Sequence, residues 1–322
     1  MVLPFEGPAV CARFAKVRPA RPWPGPPWRG PDPADWASSL DEAAFRSGVE
    51  SIRESIAAGD VYQVNLTRRL TAPLDAVPGP GNDIAALGAA LAEGNPAPYA
   101  AVVRVPGTGT RPGCEVASAS PELFLGRDGE VVRSRPIKGT APAVGLLSAK
   151  DRAENVMIVD LERNDLGRVC DYGTVEVPEL LAVEHHPGLV HLVSTVSGRL
   201  SAGRGWADAV DATFPPGSVT GAPKIAALDH ISRLEPVPRG IYCGAVGWVD
   251  ADRGLGELNV AIRTFWIEPD AGGRRCLHFG TGGGITWDSD PAAEWAETEL
   301  KARRLLEVAS GSWATLPAVT GG

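Results

Sequence analysis

The sequence predicts an α+β fold, and three observations predict it. Short runs of alternating apolar and polar residues recur along most of the chain. Helical periodicities interrupt them at irregular intervals, without the one-for-one alternation of a βαβ repeat. Turn signals such as Asp128-Gly129 and Asp252-Arg253-Gly254 separate neighbouring runs in the manner of hairpins. The 322 residues, 44% of them hydrophobic, suffice for one large core or two ordinary ones.

Residues 17–35 are rich in Pro, Arg and Trp, a composition that disfavours helix and sheet and predicts an extended arm. Trp23 and Trp28 are available to pack it onto the body. Regular structure is expected from Ser39, which divides the chain into an arm (1–38), a main domain (39–310) and a tail (311–322). Ser39-Leu40-Asp41-Glu42 resembles a capping box, and Phe45, Val49, Ile52 and Ile56 keep helical spacing up to Gly59. Val61–Leu70 alternates as a strand, Ile84–Ala92 reads as helix and Tyr99–Val105 as strand. Three more strands follow at Glu115–Ala119, Leu123–Gly126 and Val131–Pro136. Lys150–Asp165 is helical, with Val156, Ile158, Val159 and Leu161 as its apolar residues. Val175–Leu181 and Leu189–Leu200 are strands, and Ala207–Ala212 and Pro223–Leu234 are helices. Strands are expected at Tyr242–Val249, Glu257–Glu268 and Arg275–Gly280, before a last helix over Pro291–Ala309. There is no internal repeat.

Charge and composition exclude several function classes. A formal net charge of -8 argues against a nucleic-acid partner, whose phosphates call for a basic stripe. No apolar run approaches the roughly 18–20 residues that span a bilayer. Met1–Pro8 lacks the basic start and apolar core of a secretion signal. No membrane association is expected, and a cytoplasmic setting is. Cys11, Cys114, Cys170, Cys243 and Cys276 are scattered without a CxxC pair, which predicts free thiols rather than disulfides or a zinc site.

Chemistry-bearing residues gather in a few places. Asp151 and Glu154 share one edge of a predicted helix, and Glu294, Glu297 and Lys301 share an edge of the last one. If the helices meet, oxygen-only ligation suits a hard cation such as Mg²⁺; taken alone, such charges are also what any solvated helix displays. Phe279-Gly280-Thr281-Gly282-Gly283-Gly284-Ile285 reads as a loop between strand and helix whose amides can approach an anion. Its glycine spacing is not that of a dinucleotide fingerprint. Ser218–Lys224 is a turn into a helix. Lys138 follows a strand and precedes a Gly. Taken alone it reads first as a surface charge and second as a nucleophile, and an amine nucleophile must attack in its neutral form.

Taken together, these pieces resemble the chorismate-utilising family, which comprises anthranilate synthase, aminodeoxychorismate synthase component I and the isochorismate and salicylate synthases. The motifs are Tyr62-Gln63-Val64-Asn65-Leu66, Ser120-Pro121-Glu122-Leu123-Phe124, Arg135 to Thr140, and Asp151-Arg152-Ala153-Glu154-Asn155 leading into Asp160–Arg168. His191-Leu192-Val193-Ser194-Thr195-Val196, Thr220–Lys224, Tyr242–Gly247, Ile262-Arg263-Thr264, Gly282–Ile285 and Glu294–Lys301 complete the series. They run in order over roughly residues 40–308. The resemblance implies two packed, largely antiparallel sheets flanked by helices. It implies Mg²⁺ on Glu154 and Glu297, supported by Asp151 and Glu294. It implies substrate contacts from Gln63, Thr195, Tyr242, Arg263, Lys301 and the Gly283 and Gly284 amides. Glu122 becomes the general acid, Lys138 the nucleophile and His191 a supporting catalytic residue.

Two positions distinguish branches of the family. Anthranilate synthases carry Ala in place of Lys138, so that ammonia itself attacks the ring. Isochorismate and salicylate synthases carry Lys in place of Gln63, to activate water. Gln63 together with Lys138 is most like aminodeoxychorismate synthase component I, which aminates chorismate to 4-amino-4-deoxychorismate for 4-aminobenzoate and folate. The alternatives are anthranilate synthase component I and a catalytically silent chorismate-binding subunit. No Gly-x-Cys-x-Gly with a following His-x-Glu is present, so ammonia is expected from a separate glutamine amidotransferase subunit or from solution. No Leu-Leu-Glu-Ser segment is present, so tryptophan inhibition is not expected.

Overall fold

The computed structural model describes residues 1–74, 81–109, 113–141, 143–186 and 189–312. Most of the expected 311–322 tail therefore lies outside the described residues.

The chain opens with β1 (Val2–Leu3) and, after the arm, β2 (Ala37–Ser38). Helix α1 (Glu42–Ala58) starts where the Asp41 carboxylate accepts the Ala44 amide and ends at Gly59 in the left-handed conformation. Then come β3 (Gln63–Pro73), α2 (Ile84–Gly94), β4 (Tyr99–Val105), β5 (Cys114–Ser120), β6 (Leu123–Asp128), β7 (Val131–Arg135) and β8 (Ile137–Ala141). Helix α3 (Ala149–Gly167) begins in a capping box between Ser148 and Asp151. It leads to β9 (Glu176–His186), β10 (Leu189–Arg199) and α4 (Trp206–Thr213). The last third holds β11 (Gly221–Ala222), α5 (Lys224–Leu234), β12 (Ala245–Asp250), β13 (Leu255–Val260), β14 (Thr264–Pro269), β15 (Arg275–Ile285) and α6 (Pro291–Ala309).

These strands form two antiparallel sheets. The first runs β1-β12-β13-β6-β7-β10-β8, with β9 also on β10; the second runs β11-β3-β15-β14-β5-β4, with β2 on β3. Apolar residues at period two explain how the sheets pack. In β14, Trp266 points into a core shared with Leu125, Val132, Val196 and Leu258 of the first sheet. Its neighbours Phe265 and Ile267 point the other way, under α2 and α6. Helices α1 and α5 cover Val64, Leu66 and Ile285 at the end of the second sheet. Helix α3 adds Val159 and Leu166 to the shared core.

The predicted α+β class and the two-sheet arrangement both hold. Several local expectations are corrected. Order does not wait for Ser39, because Val2 and Leu3 pair with Val246 and Ala245 of β12. The single strand expected over Glu257–Glu268 is two strands in different sheets. The chain crosses between them at Ile262 and Arg263, and Arg263 takes a positive φ of 50°. The Gly-rich run is not a loop but the second half of β15, paired with β3 from Cys276↔Pro73 to Ile285↔Val64. Lys138 follows the expected strand, β7, but lies within a further one, β8.

The Pro-rich stretch 17–35 has no regular element before Pro33 and is anchored by tryptophans. Trp28 is 8% exposed and its Nε1 donates to the Ala309 carbonyl at 2.6 Å, at the end of α6. Trp36 Nε1 donates to Ser310 Oγ at 3.0 Å. Trp28→Ala removes a buried ring and orphans that carbonyl. It should lower the unfolding free energy by about 3 kcal/mol, read as a lower urea midpoint with an unchanged slope.

Candidate active site

The two sheets are joined by adjacent links, and the links carry two of the expected site residues, Glu122 and Arg263. Pro121 and Glu122 lead from β5 in the second sheet to β6 in the first; Ala261–Arg263 lead from β13 back to β14. Backbone and side-chain bonds staple these crossings together. The Val260 amide donates to Glu122 O at 3.0 Å, Ser120 Oγ donates to Val260 O at 2.6 Å, and the Ala119 amide donates to Arg263 O at 3.0 Å. The acid and the guanidinium are thereby set side by side. Glu122 is buried, and burial pushes its carboxyl above the ordinary value against the pull of Ser218, Lys138, the Ile137 amide and Arg263. Burial also draws the Arg263 guanidinium down, opposed by Glu122.

Lys138 is half-buried on β8, and its Nζ donates to the Ser218 carbonyl at 2.9 Å. Gly139, next along, has φ +90°, and a Cβ there would come within 2.8 Å of Asp151 Cβ. Glycine thus lets β8 press against the start of α3. Ser218 sits in the short turn before β11. Arg239 holds that turn, donating to Val219 O at 2.8 Å and to Asn65 O at 2.7 Å while paired with Glu235.

A set of carboxylates faces this centre from α3 and α6. Lys150 Nζ lies 3.7 Å from Glu154 and 3.2 Å from Glu294. Lys301 Nζ lies 2.7 Å from Glu297 and donates to Gly282 O at 3.1 Å. Burial raises Glu154, with Lys138 and Lys150 pulling down and Glu294 and Asp151 pushing up. Burial also pushes Glu297 up, but Lys301, Lys150 and Lys138 outweigh it and hold that carboxyl below its ordinary value. Asp151 gives one oxygen to the α3 cap, where it accepts from the Ser148 amide and hydroxyl at 2.8 Å each.

Among the described residues, no three acidic, His or Cys side chains converge tightly enough to hold a metal as they stand. The donor set nevertheless fits a hard divalent cation. Carboxylates from two helices already share one positive group, the Lys150 ammonium, and all are oxygen donors. Glu154, Glu294 and Glu297 are the residues that could hold it.

The remaining predicted residues fall in different places. His191 is buried on β10, its Nδ1 2.8 Å from Thr140 Oγ1. Gln63 is fully buried at the start of β3, and neither atom of its amide has a hydrogen-bond partner among the described residues. A Cβ at Gly284 would lie 2.2 Å from Gln63 Nε2, and one at Gly283 would lie 3.2 Å from Glu294. The glycines of β15 therefore let the strand approach both groups. Beyond Phe279 this strand has β3 on one side only, because its pairing with β14 stops at Phe265↔Phe279. On its other side Gly282 O is taken by Lys301 Nζ, and the Gly284 amide faces outward because its partner Asn65 bonds to Thr220 and Arg239 instead. Tyr242 packs flat on Gly280, where a Cβ would meet its ring at 2.1 Å, and burial raises its phenol well above the ordinary value. Thr195 is not brought to Lys138: its hydroxyl donates to Glu179 at 2.7 Å and accepts from Arg135 at 3.1 Å.

Sequence reasoning missed three residues. Ser218 was legible only as a turn residue, and Lys150 only as a helix charge. Glu162 was read as one of several acids on α3. It is 2% exposed, its Oε2 lacks a hydrogen-bond partner among the described residues, and a Cβ on Gly217 would approach its Oε1 to 3.3 Å. Burial, then Asp165, pushes its carboxyl from 4.5 up to about 8. The usable signal was its position: Glu162 lies four residues from Ile158 and Leu166, on the apolar face of the helix.

Comparison with known proteins bears on this site. The family described as chorismate binding enzyme matches residues 15–307. Anthranilate synthase component 1 of Streptomyces coelicolor is 44% identical over 283 residues, covering 84% of this chain and 52% of that protein. Aminodeoxychorismate synthase component 1 of Bacillus subtilis is 38% identical, covering 85% and 57%. The crystal structure of anthranilate synthase component I from Streptococcus pneumoniae superposes with a TM-score of 0.72 at 32% identity, covering 84% of this chain and 59% of that one. The chain spans about half the length of the curated relatives it matches. No described helix is long and apolar enough to cross a membrane.

The raised Glu162 carboxyl makes stability depend on pH. The folded chain binds this proton more tightly than the unfolded one. The contribution is therefore complete below about 4.5 and is lost as pH rises through about 8. Glu162→Gln should unfold like the wild type at pH 4 and be the more stable protein at pH 8.5, by roughly 3 kcal/mol. Urea titrations at the two pH values measure the difference.

Proposed function

The chain belongs to the family of chorismate binding enzymes, and within it we propose that it aminates chorismate to 4-amino-4-deoxychorismate, the precursor of 4-aminobenzoate and folate. The observation that carries this reading is the position of Lys138. One amine lies close enough to draw down Glu122, Glu154 and Glu297 together, so acid, nucleophile and carboxylate cluster share one centre.

The residues divide the chemistry as follows. Glu122, kept protonated by burial, donates its proton to the C4 hydroxyl oxygen. Lys138, a cation toward Glu122, Glu154 and Glu297 in the resting chain, must first give up a proton to solvent. The C4–O bond then breaks and water leaves, while the freed amine forms a bond to C2 and the diene shifts round the ring. Ammonia then attacks C4, the diene shifts back, and the C2–N bond to Lys138 breaks to restore the amine. The Glu122 carboxylate takes the proton that the new C4 nitrogen sheds. One ammonia enters and one water leaves, with the enzyme unchanged. Arg263, Lys301 and the outward amide of Gly284 are cationic or donor groups suited to the two substrate carboxylates, whereas the amide of Gly283 turns inward to Leu66 of β3. A magnesium ion bound at Glu154, Glu294 and Glu297 would neutralise a substrate carboxylate and withdraw electrons from the ring. His191, fixed by Thr140, orients the ring. Gln63 can hydrogen-bond but cannot deprotonate water, which disfavours an isochorismate product. Ammonia is supplied by a glutamine amidotransferase subunit.

Anthranilate synthesis is the second reading, favoured by the 44% identity to the Streptomyces coelicolor protein of that name. Chorismate, Mg²⁺ and an ammonium salt at alkaline pH, analysed by mass spectrometry, discriminate the two. Aminodeoxychorismate supports amination at C4. Fluorescent anthranilate would overturn it, and absence of turnover would favour a silent subunit.

Glu122→Gln should lower kcat by about 10²–10⁴-fold with little change in chorismate affinity, as for loss of a general acid. Lys138→Ala should redirect the product towards anthranilate while retaining chorismate binding. Undiminished aminodeoxychorismate output from that variant would remove the covalent role.

A further inference from the structure

Lys150 is the second residue of α3, one turn before Glu154. A cation in the first turn of a helix opposes the helix dipole, so local helix physics gives no reason for a lysine here. The reason lies across the site. Its ammonium meets Glu154 on its own helix at 3.7 Å and Glu294 on α6 at 3.2 Å. Glu294 is itself buried and fixed, because the same oxygen accepts from Ser289 Oγ at 2.5 Å. The ammonium therefore sits between carboxylates of the two helices, in the space that a divalent cation bridging them would fill.

Lys301 makes an instructive contrast. It pairs with Glu297 but also donates to the Gly282 carbonyl, an acceptor outside the cluster that holds it in place whatever the carboxylates bind. The two carboxylates are the only hydrogen-bond or ion-pair partners of Lys150 among the described residues. Its side chain is 38% exposed, with solvent on one side into which it can swing.

We propose that Lys150 is an internal counter-cation. It neutralises Glu154 and Glu294 and ties α3 to α6 in the metal-free chain, and a divalent cation must displace it to bind. The inference rests on the metal reading given above and adds a cost to it. Two like charges cannot share the space between the same oxygens, so part of the attraction for the metal is spent in expelling the lysine. Lys150 thus sets metal affinity downward and stabilises the empty site.

The test is Mn²⁺ binding, followed by the electron paramagnetic resonance signal of the free ion, together with melting temperatures in EDTA and in Mn²⁺. The proteins are the wild type, Lys150→Met, Lys150→Gln and Lys150→Arg. The neutral variants should bind Mn²⁺ about tenfold more tightly than the wild type, a change of the size that neighbours of metal ligands typically produce. They should melt below the wild type in EDTA and gain more on adding Mn²⁺. Lys150→Arg, which keeps the charge, should bind like the wild type. Wild-type binding with unchanged or weaker affinity in both neutral variants overturns the counter-cation while leaving the metal site standing. Absence of Mn²⁺ binding in every protein overturns the metal reading and the competition with it.

Discussion

Carboxylates repel one another, and this chain gathers Glu122, Glu154, Glu294 and Glu297 around the same lysines. In a site of intermediate dielectric, two such charges 4 Å apart repel by about 4 kcal/mol. The arrangement persists because burial and three lysines counter that repulsion. Burial favours the neutral form of Glu122. Lys138, Lys150 and Lys301 supply positive charge to the others, and two of them are in direct contact with their carboxylates. The same balance would suit the doubly negative substrate of the proposed reaction. A dianion entering an acidic chain needs concentrated positive charge at the point of binding, and here it is concentrated on three side chains plus Arg263.

The two sheets supply the rigidity that this charge arrangement demands. Glu122 and Arg263 are not on strands but on the two links by which the chain passes between sheets. A crossing must break one ladder and enter another, so its backbone is forced into special conformations, seen in the positive φ of Arg263. Bonds between the crossings leave little freedom to either. The glycines of β15 serve the opposite purpose. Without side chains, Gly283 and Gly284 allow Glu294 and Gln63 to close on the strand, and its pairing with β14 ends before them, at Phe265↔Phe279.

Much of the fold was legible in the sequence because period and punctuation agree. Helix α6 was bounded correctly by Pro291 and by the loss of apolar spacing after Ala309, and β4 by its alternation. The strand over residues 257–268 was not divided correctly, because Val260, Ala261 and Ile262 continue an apolar run straight through the crossing. No local signal marks a change of sheet when the residues on both sides are buried. The Gly-rich run misled for the converse reason. Glycine weakens a strand in isolation, yet here a long partner, β3, holds it in register over ten residue pairs. In the site, motif residues were legible one at a time, while their pairings were not. That Lys138 meets a carbonyl of the Ser218 turn, or that Lys150 reaches Glu294, depends on contacts between residues 80 and 144 positions apart.

Overall identity is a poor guide to the product within such a family, since the relatives named for two different reactions align over the same part of this chain. The physical difference between those reactions is small in residues and large in rate. Attack at C2 by free ammonia is a bimolecular event, whereas an amine tethered beside C2 acts at an effective concentration that reaches 10⁵–10⁸ M in well-oriented cases. Even a geometry well short of that ideal leaves dissolved ammonia little share of the first step. In the proposed reaction the tethered amine would not leave with the product, so ammonia would be diverted to C4, the carbon that the first displacement opens. In the proposed reaction, the half-buried Lys138, its Nζ held 2.9 Å from the Ser218 carbonyl, would account for the change of product. The surrounding acid and carboxylates can remain the same in both reactions, because each begins with loss of the same hydroxyl.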